Sequence, residues 1–383
     1  MQRPLQIHFF VNFVHEQGTY FRFHNLARSL KLLGHEVEIF GCDHHSESKR
    51  RTEERDNILY HITPSFRGQR WFPAPHHPLN ALAQLPAASK QCDVAHLFQP
   101  FLSAALAWRI ARTQTRFYDW DDLWTGGLHP TKPVEGLNRY AQLSTAILEK
   151  RLPKSADHMT VCGRFLNRLA IKRGAVTPTT IPNGVWQTKP TDKEAARRAL
   201  GLKSDALYLG YMGRTADELD WCLSLITQNL SRHPNLRFAV CGPPESAFVS
   251  LSPHIRERID YLGSLPPARI PTFASAIDLG LLPLKANAFN RSRFPIKFAE
   301  YLMGGAPVLC SNVGDCAKLG ENLDGVYLAG NTQELWASRA AQVISSIAAK
   351  DFAPVSRGAV SDLFGWESIG ARLESSYKEA LNA

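Results

Sequence analysis

Short apolar runs alternate with helix-spaced amphipathic stretches along nearly the whole chain. The pattern opens with an apolar run over 5–11, a polar loop and apolar positions at helical spacing from Thr19 to Leu33. Gly34 ends that stretch and a second run follows over 36–40, which together predict a strand, a helix and a strand. Further runs at 94–98, 116–118, 158–162 and 179–181 alternate with helical stretches at 102–112 and 139–152. Strands that are apolar throughout are buried on both faces, so this alternation predicts a parallel sheet covered by helices on either side. A polar stretch over 187–193 containing Pro190 then suits a linker. Beyond it the alternation restarts, with runs at 206–212, 236–241, 259–262, 279–283 and 307–310, a helical segment at 216–230 and a last strand at 325–328. The expected organisation is a Rossmann-like domain over 1–185 and a second one over 186–364. The amphipathic helix 365–383 is expected to cross back onto the first.

The length of 383 residues fits two cores better than one, and 44% hydrophobic with 21% charged residues is ordinary globular composition. A formal charge of +9 favours an anionic partner. Zinc-finger spacing and RNP-type strands are absent, so a phosphate-bearing small molecule is expected and nucleic acid is not. The seven cysteines form no C-x-x-C pair and several lie in strand-like runs, which predicts buried free thiols in a reducing compartment. No stretch resembles a signal peptide and no run of 18 apolar residues occurs, so the expected location is the cytoplasm or the inner membrane face. The segment 64–86 places Arg67, Arg70, Trp71, Phe72, His76 and His77 among prolines. It reads either as an acceptor or membrane-surface contact or as a solvated excursion.

Open α/β sheets bind ligands outside the carboxyl ends of their strands, which directs attention to the loops there. Gly18 lies in the first such loop, before a helix N-terminus that attracts phosphate, but no G-x-G-x-x-G is present. The strongest signal is 290–301, Asn-Arg-Ser-Arg-Phe-Pro-Ile-Lys-Phe-Ala-Glu-Tyr. Pro295 suits a first helical position. Lys297 and Glu300 then share a helical face, with Arg291, Ser292 and Arg293 just upstream. A diphosphate needs cations and N–H donors, and one carboxylate matches the two hydroxyls of a ribose. The bland alternative is a surface Lys–Glu pair. Arg214 follows the run 206–212 as a second cation for phosphate, or as an exposed turn residue. The acidic turn Asp119-Trp120-Asp121-Asp122 could bind a sugar hydroxyl, act as a base or chelate a divalent ion, with Asp119 the candidate to cap the turn and Asp121 or Asp122 to function. The fourteen histidines show no zinc spacing.

At these residues the sequence resembles the family 4 glycosyltransferases of the GT-B fold. The resemblance rests on Gly18 with 23–30 and Gly34 to Val37, on 181–185, and above all on 295–301 with Gly305 to Val308. It implies two Rossmann-like doubly wound domains facing a central cleft, and transfer of a sugar from a nucleotide donor, usually with retention, to a glycan, lipid-linked or other hydroxyl acceptor. By the same resemblance Glu300 serves the donor ribose, Lys297 and Arg214 the diphosphate, Gly18 the pyrophosphate or acceptor edge, and the backbone from Gly263 to Leu265 the base. The Asp-Trp-Asp-Asp turn looks like a D-x-D-D stretch of some members. Two departures stand out: Ser292 where a glutamate is common, and no basic residue over 215–220 after Arg214. They imply altered sugar contacts. No cofactor or essential metal is expected. The rival readings are an epimerase or phosphorylase of the same fold and a non-catalytic sugar-nucleotide-binding partner.

Overall fold

The structure, a computed structural model, describes residues 3–43, 49–64, 76–127, 137–189, 191–213 and 218–382. The chain forms two compact units. One comprises Met1–Asn183 with Ser292–Phe294 and Trp366–Ala383, and the other Gly184–Arg291 with Pro295–Gly365.

The first unit holds strands β1 (Gln6–Phe13), β2 (Glu36–Asp43), β3 (Arg51–Arg55), β4 (Ile58–Pro64), β5 (Cys92–Phe98), β6 (Thr113–Trp120), β7 (His158–Val161) and β8 (Thr179–Thr180). Their order is β3-β4-β2-β1-β5-β6-β7-β8, parallel throughout except for the β3–β4 pair. Every residue of β5 is buried, which is why its sequence is apolar without alternation. The β3–β4 hairpin was not expected from the sequence. It closes on Asp56 and Asn57, both left-handed (φ 50° and 61°), as a two-residue turn of right-twisted strands requires. Strand β3, Arg-Thr-Glu-Glu-Arg, has no apolar residue to mark it and forms a charged sheet edge. The closing helix Trp366–Asn382 packs on the helix Tyr20–Leu32. A Cβ at Gly370 would lie 2.4 Å from that of Ser29, so the glycine permits the approach.

The second unit holds β9 (Leu207–Met212), β10 (Leu236–Cys241), β11 (Ile259–Tyr261), β12 (Leu279–Leu282), β13 (Val308–Ser311) and β14 (Val326–Ala329), all parallel in the order β11-β10-β9-β12-β13-β14. In both sheets the strand order reverses beside the first strand, between β1 and β5 and between β9 and β12, and such a reversal opens a crevice at the carboxyl ends. The helix Ile296–Met303 closes on β12 because Gly280 leaves room for the Tyr301 ring, which a Cβ would meet at 2.6 Å. The Tyr301 hydroxyl accepts the Met212 N–H at 2.9 Å, tying this helix to the end of β9. All seven cysteines are buried and free, and no helix among the described residues is long and apolar enough to cross a membrane.

Candidate active site

In the second unit the reversal point is lined by backbone and by two charged side chains. The loops after β9, β10 and β11 each place a glycine at the strand end. The N–H of Gly213 donates to Cys241 O at 3.1 Å and that of Gly242 to Gly263 O at 2.8 Å. Gly242 (φ 100°) could not carry a Cβ, which would stand 2.3 Å from the Gly213 carbonyl oxygen. Gly263 is left-handed (φ 64°) with open space where a side chain would point, and Leu265 is half-buried beyond it. Backbone thus forms this part of the surface, where a flat ligand can approach closely.

Lys297, in the first turn of the helix Ile296–Met303, donates from Nζ to Met212 O at 2.9 Å and lies 4.7 Å from the Tyr211 ring centroid. Pro295 stands one position earlier than expected, as the helix N-cap. The carboxylate of Glu300, one turn on, has neither a hydrogen bond nor an ion pair among the described residues, so a surface Lys–Glu pair is not what these residues form. Burial pushes the Glu300 carboxyl up to about 7, with the nearby Lys297 charge acting against the shift. The loop after β12 is fixed from beneath. Glu218 accepts from the Lys285 N–H at 3.0 Å and from Asn290 Nδ2 at 2.9 Å, and the Leu284 N–H donates to Ser311 Oγ at 2.8 Å. Arg291 follows on the short helix Ala288–Ser292, exposed.

The first unit places three acids at the end of β6, against side chains from the ends of β1, β5 and β7. Asp119 forms a buried two-pronged pair with Arg22 (2.7 and 2.8 Å) and accepts from Thr160 Oγ1 at 2.5 Å. It therefore does not cap the turn, because both of its oxygens are engaged in the core. Asp121 accepts from Thr19 Oγ1 at 2.6 Å, and Thr19 in turn accepts from Gln99 Nε2 at 2.7 Å. Asp122 is half-buried beside it. Burial raises the pKa of both Asp121 and Asp122. The charge of Asp119 adds to the shift of the first and that of Asp121 to the second, while Arg293 and Arg22 pull Asp122 back. The described residues hold no group of three or more His, Cys, Asp or Glu set to bind a metal.

Ser292 and Arg293 belong with these acids, whereas Arg291, Lys297 and Glu300 belong to the second unit. The buried Ser292 hydroxyl accepts from the Leu123 N–H at 3.3 Å and its carbonyl from Cys162 Sγ at 3.2 Å. The expectation of Ser292 as a donor ligand thus meets a side chain already engaged with the acidic turn. Gly18 is exposed and left-handed (φ 57°), with open space at its Cα, just before the helix Tyr20–Leu32. Arg214 lies outside the described residues, as do 65–75 of the proline-rich segment. His76, from that segment, is buried and bonded to Ser144 at 3.0 Å. Thr19, Gln99, Gly213, Gly242 and Glu218 escaped the sequence reading. A glycine directly after a strand was the legible sign for two of them.

Comparison with known proteins gives matches over both units. The glycosyl transferase 4-like domain family matches residues 17–184, and the glycosyl transferases group 1 family residues 203–346. The putative teichuronic acid biosynthesis glycosyltransferase TuaH of Bacillus subtilis is 25% identical over 253 residues, 63% of this chain and 60% of that protein. A D-inositol 3-phosphate glycosyltransferase of Thermobispora bispora is 30% identical over 211 residues, 50% of this chain and 48% of that one. The chain thus spans about half of the length of these curated relatives. Among solved structures, sucrose-phosphate synthase from Thermosynechococcus elongatus superposes with a TM-score of 0.75 at 16% identity, covering 98% of this chain and 99% of that one. Anabaena HepE in complex with UDP and glucose gives 0.69 at 15% identity, covering 98% and 100%. These likenesses establish the GT-B fold.

Proposed function

We propose, from the premise that this chain belongs to the GT-B glycosyltransferases built of a 4-like and a group 1 domain, that it transfers a sugar from a nucleotide diphosphate sugar to a hydroxyl acceptor. The observation that carries the donor half is the placement of Lys297 and of an unpaired Glu300 carboxylate one helical turn apart at the reversal point of the second sheet. The ammonium group offers charge to a diphosphate. The Glu300 carboxylate, with no donor among the described residues, offers both oxygens to the adjacent hydroxyls of a ribose. The glycines at 213, 242 and 263 let the base and phosphates approach backbone, with Leu265 and Arg291 flanking and Arg214 as a second cation. Lys297 and backbone N–H groups neutralise the leaving diphosphate, so no metal is required for that step. HepE was solved with UDP and glucose, which places UDP-glucose first in the panel of donors to try.

Donor binding is expected to follow the ionised form of Glu300. Calorimetric titration with UDP-, GDP-, dTDP- and ADP-sugars should give one binding class, lost in Glu300→Ala. With the carboxyl poised at about 7, affinity should fall about tenfold between about pH 8 and about pH 6. The linkage to stability has the opposite sense. A folded pKa above the unfolded one favours the folded state at low pH and loses that contribution as pH rises through about 7. Glu300→Gln is therefore expected to raise Tm at about pH 8 and not at about pH 5. Donor affinity that is flat with pH in the wild type, or retained in Glu300→Ala, removes this residue from the site.

The acceptor half of the reading rests on the acidic turn of the first unit, where Asp121 or Asp122 receives the acceptor hydroxyl, with Gly18 at its edge. A place in polysaccharide assembly accords with the teichuronic acid biosynthesis for which TuaH is named, and a glycan or lipid-linked acceptor and transfer with retention belong to the same proposal. Contact with the inner face of a membrane is supported by one stripe of the helix Leu137–Ser155. Leu143 and Ile147 are about half exposed there, in line with the exposed Lys150, Arg151 and Lys154. Co-sedimentation with phosphatidylglycerol vesicles at low salt is expected, and should weaken severalfold in Leu143→Ser/Ile147→Ser. Equal binding by wild type and variant removes this stripe as the contact.

A further inference from the structure

Thr19, Gln99 and Asp121 come from the loops after β1, β5 and β6, neighbouring strands that include the reversal point of the first sheet. All three side chains are buried. Gln99 Nε2 donates to Thr19 Oγ1 at 2.7 Å, and Thr19 Oγ1 donates to Asp121 Oδ2 at 2.6 Å. A hydroxyl carries one proton. With the Gln99 amide filling a lone pair of Thr19, that proton points at Asp121 and the relay runs one way. Gln99 reaches this position from a left-handed backbone (φ 71°), uncommon for a residue with a Cβ and tolerated where the surroundings fix it. Thr19 directly precedes the helix Tyr20–Leu32, yet its side chain does not cap that helix. Its hydroxyl is turned to Asp121 instead.

The second carboxylate oxygen has the opposite character. Asp121 Oδ1 is buried and has no hydrogen-bond partner among the described residues. Buried acceptors are normally satisfied, so one fixed oxygen beside one unsatisfied oxygen is an arrangement waiting for an incoming donor. We propose, resting on the transferase reading above, that Gln99 and Thr19 are positioning residues that lock Oδ2 of Asp121 as an acceptor and present Oδ1 to a hydroxyl of the sugar acceptor. The charged and titratable groups facing this carboxylate are Asp119 and Asp122 on its own segment, Arg22 from the helix Tyr20–Leu32, and Cys162 after β7, whose Sγ–H meets the Asp121 main-chain carbonyl at 2.7 Å. Burial and then Asp119 push the Asp121 pKa up, while the Thr19 hydrogen bond holds it down. The relay is therefore a lever on the ionisation of Asp121.

The test reads that lever directly on the full chain. Carbon-13 NMR of the aspartate carboxyls, with the Asp121 resonance identified by its loss in Asp121→Asn, gives the titration without any need for turnover. Thr19→Val removes the donor, and Gln99→Glu draws the Thr19 proton away from Asp121. Each should raise the Asp121 midpoint by roughly one unit or more, and Thr19→Ser, which keeps the hydroxyl, should return it. In parallel, the acid limb of kcat/KM against pH with the nucleotide sugar found by calorimetry should move with the NMR midpoint in every variant. An unmoved NMR midpoint in both Thr19→Val and Gln99→Glu, each folded by circular dichroism, overturns the relay whether or not the protein is a transferase. A moved midpoint with a stationary limb overturns the assignment of Oδ1 to the acceptor hydroxyl. A moved midpoint in a protein that turns over no donor overturns the assignment together with the transferase reading.

Discussion

Lys297→Ala is expected to lower kcat by roughly 10²–10³-fold, the range found when one preorganised stabiliser of transition-state charge is removed. Nζ is held at the carboxyl end of β9 by the Met212 carbonyl and the Tyr211 ring, at the point where the strand order reverses. A cation fixed there requires no reorganisation as negative charge builds on a departing diphosphate, so its contribution grows along the reaction coordinate. The loss should fall mainly on kcat and less on KM. The structural cost should be small, since Lys297 is half-buried and, among the described residues, gives up its hydrogen bond to Met212 O and its contact with the Tyr211 ring, about 1 kcal/mol. A second consequence separates this role from general damage. The Lys297 charge restrains the Glu300 carboxyl, so its removal should move the acid limb of donor binding to higher pH. Lys297→Arg, with the charge kept, should leave that limb near its wild-type position, and turnover of the wild type should persist in EDTA. Unchanged kcat in Lys297→Ala, or an unmoved limb, would assign Lys297 to packing alone.

The parts of this molecule that were legible in the sequence are those in which one strand or one helix expresses the physics by itself. Strands such as β5 and β9 are buried on both faces, and their unbroken apolar runs follow from that alone. Lys297 and Glu300 share a face of one helix, so their spacing placed them together before any fold was known. The illegible parts depend on pairing across the chain. Strand β3 is polar at every position and is a strand only because β4 offers it an edge. Thr19 and Gln99 acquire meaning from Asp121, 102 residues from one of them, and no local pattern marks such a link. The stretch 291–300 reads as one cluster in the sequence, yet Ser292–Phe294 belong to the first unit while Arg291 and Lys297 belong to the second. A three-residue excursion of this kind leaves the helical spacing on either side untouched, so periodicity cannot report it.

The same dependence on distant partners underlies the largest expected loss of stability, Asp119→Ala. Arg22 and Asp119 are both almost fully buried, and all three guanidinium nitrogens are engaged: two bonds to Asp119, one to Ile181 O at 2.8 Å and one to Asn183 Oδ1 at 3.0 Å. One side chain thereby joins the first helix, strand β6 and the segment that follows β8. A buried pair of this kind adds little net stability over an apolar pair, because desolvation offsets its attraction, but removing one partner strands the other charge. Asp119→Ala should therefore destabilise the first unit by about 3–5 kcal/mol, read as a lower urea midpoint. The paired replacement Arg22→Met/Asp119→Leu should recover much of that loss, which separates a stranded charge from a packing defect. Activity should behave otherwise. The paired replacement deletes the Asp119 charge that raises the Asp121 pKa and also the Arg22 charge that restrains it, so the protein should be folded while its pH profile differs from that of the wild type. Recovery of stability with an unaltered profile would mean that the ion pair serves the fold and not the acids beside it.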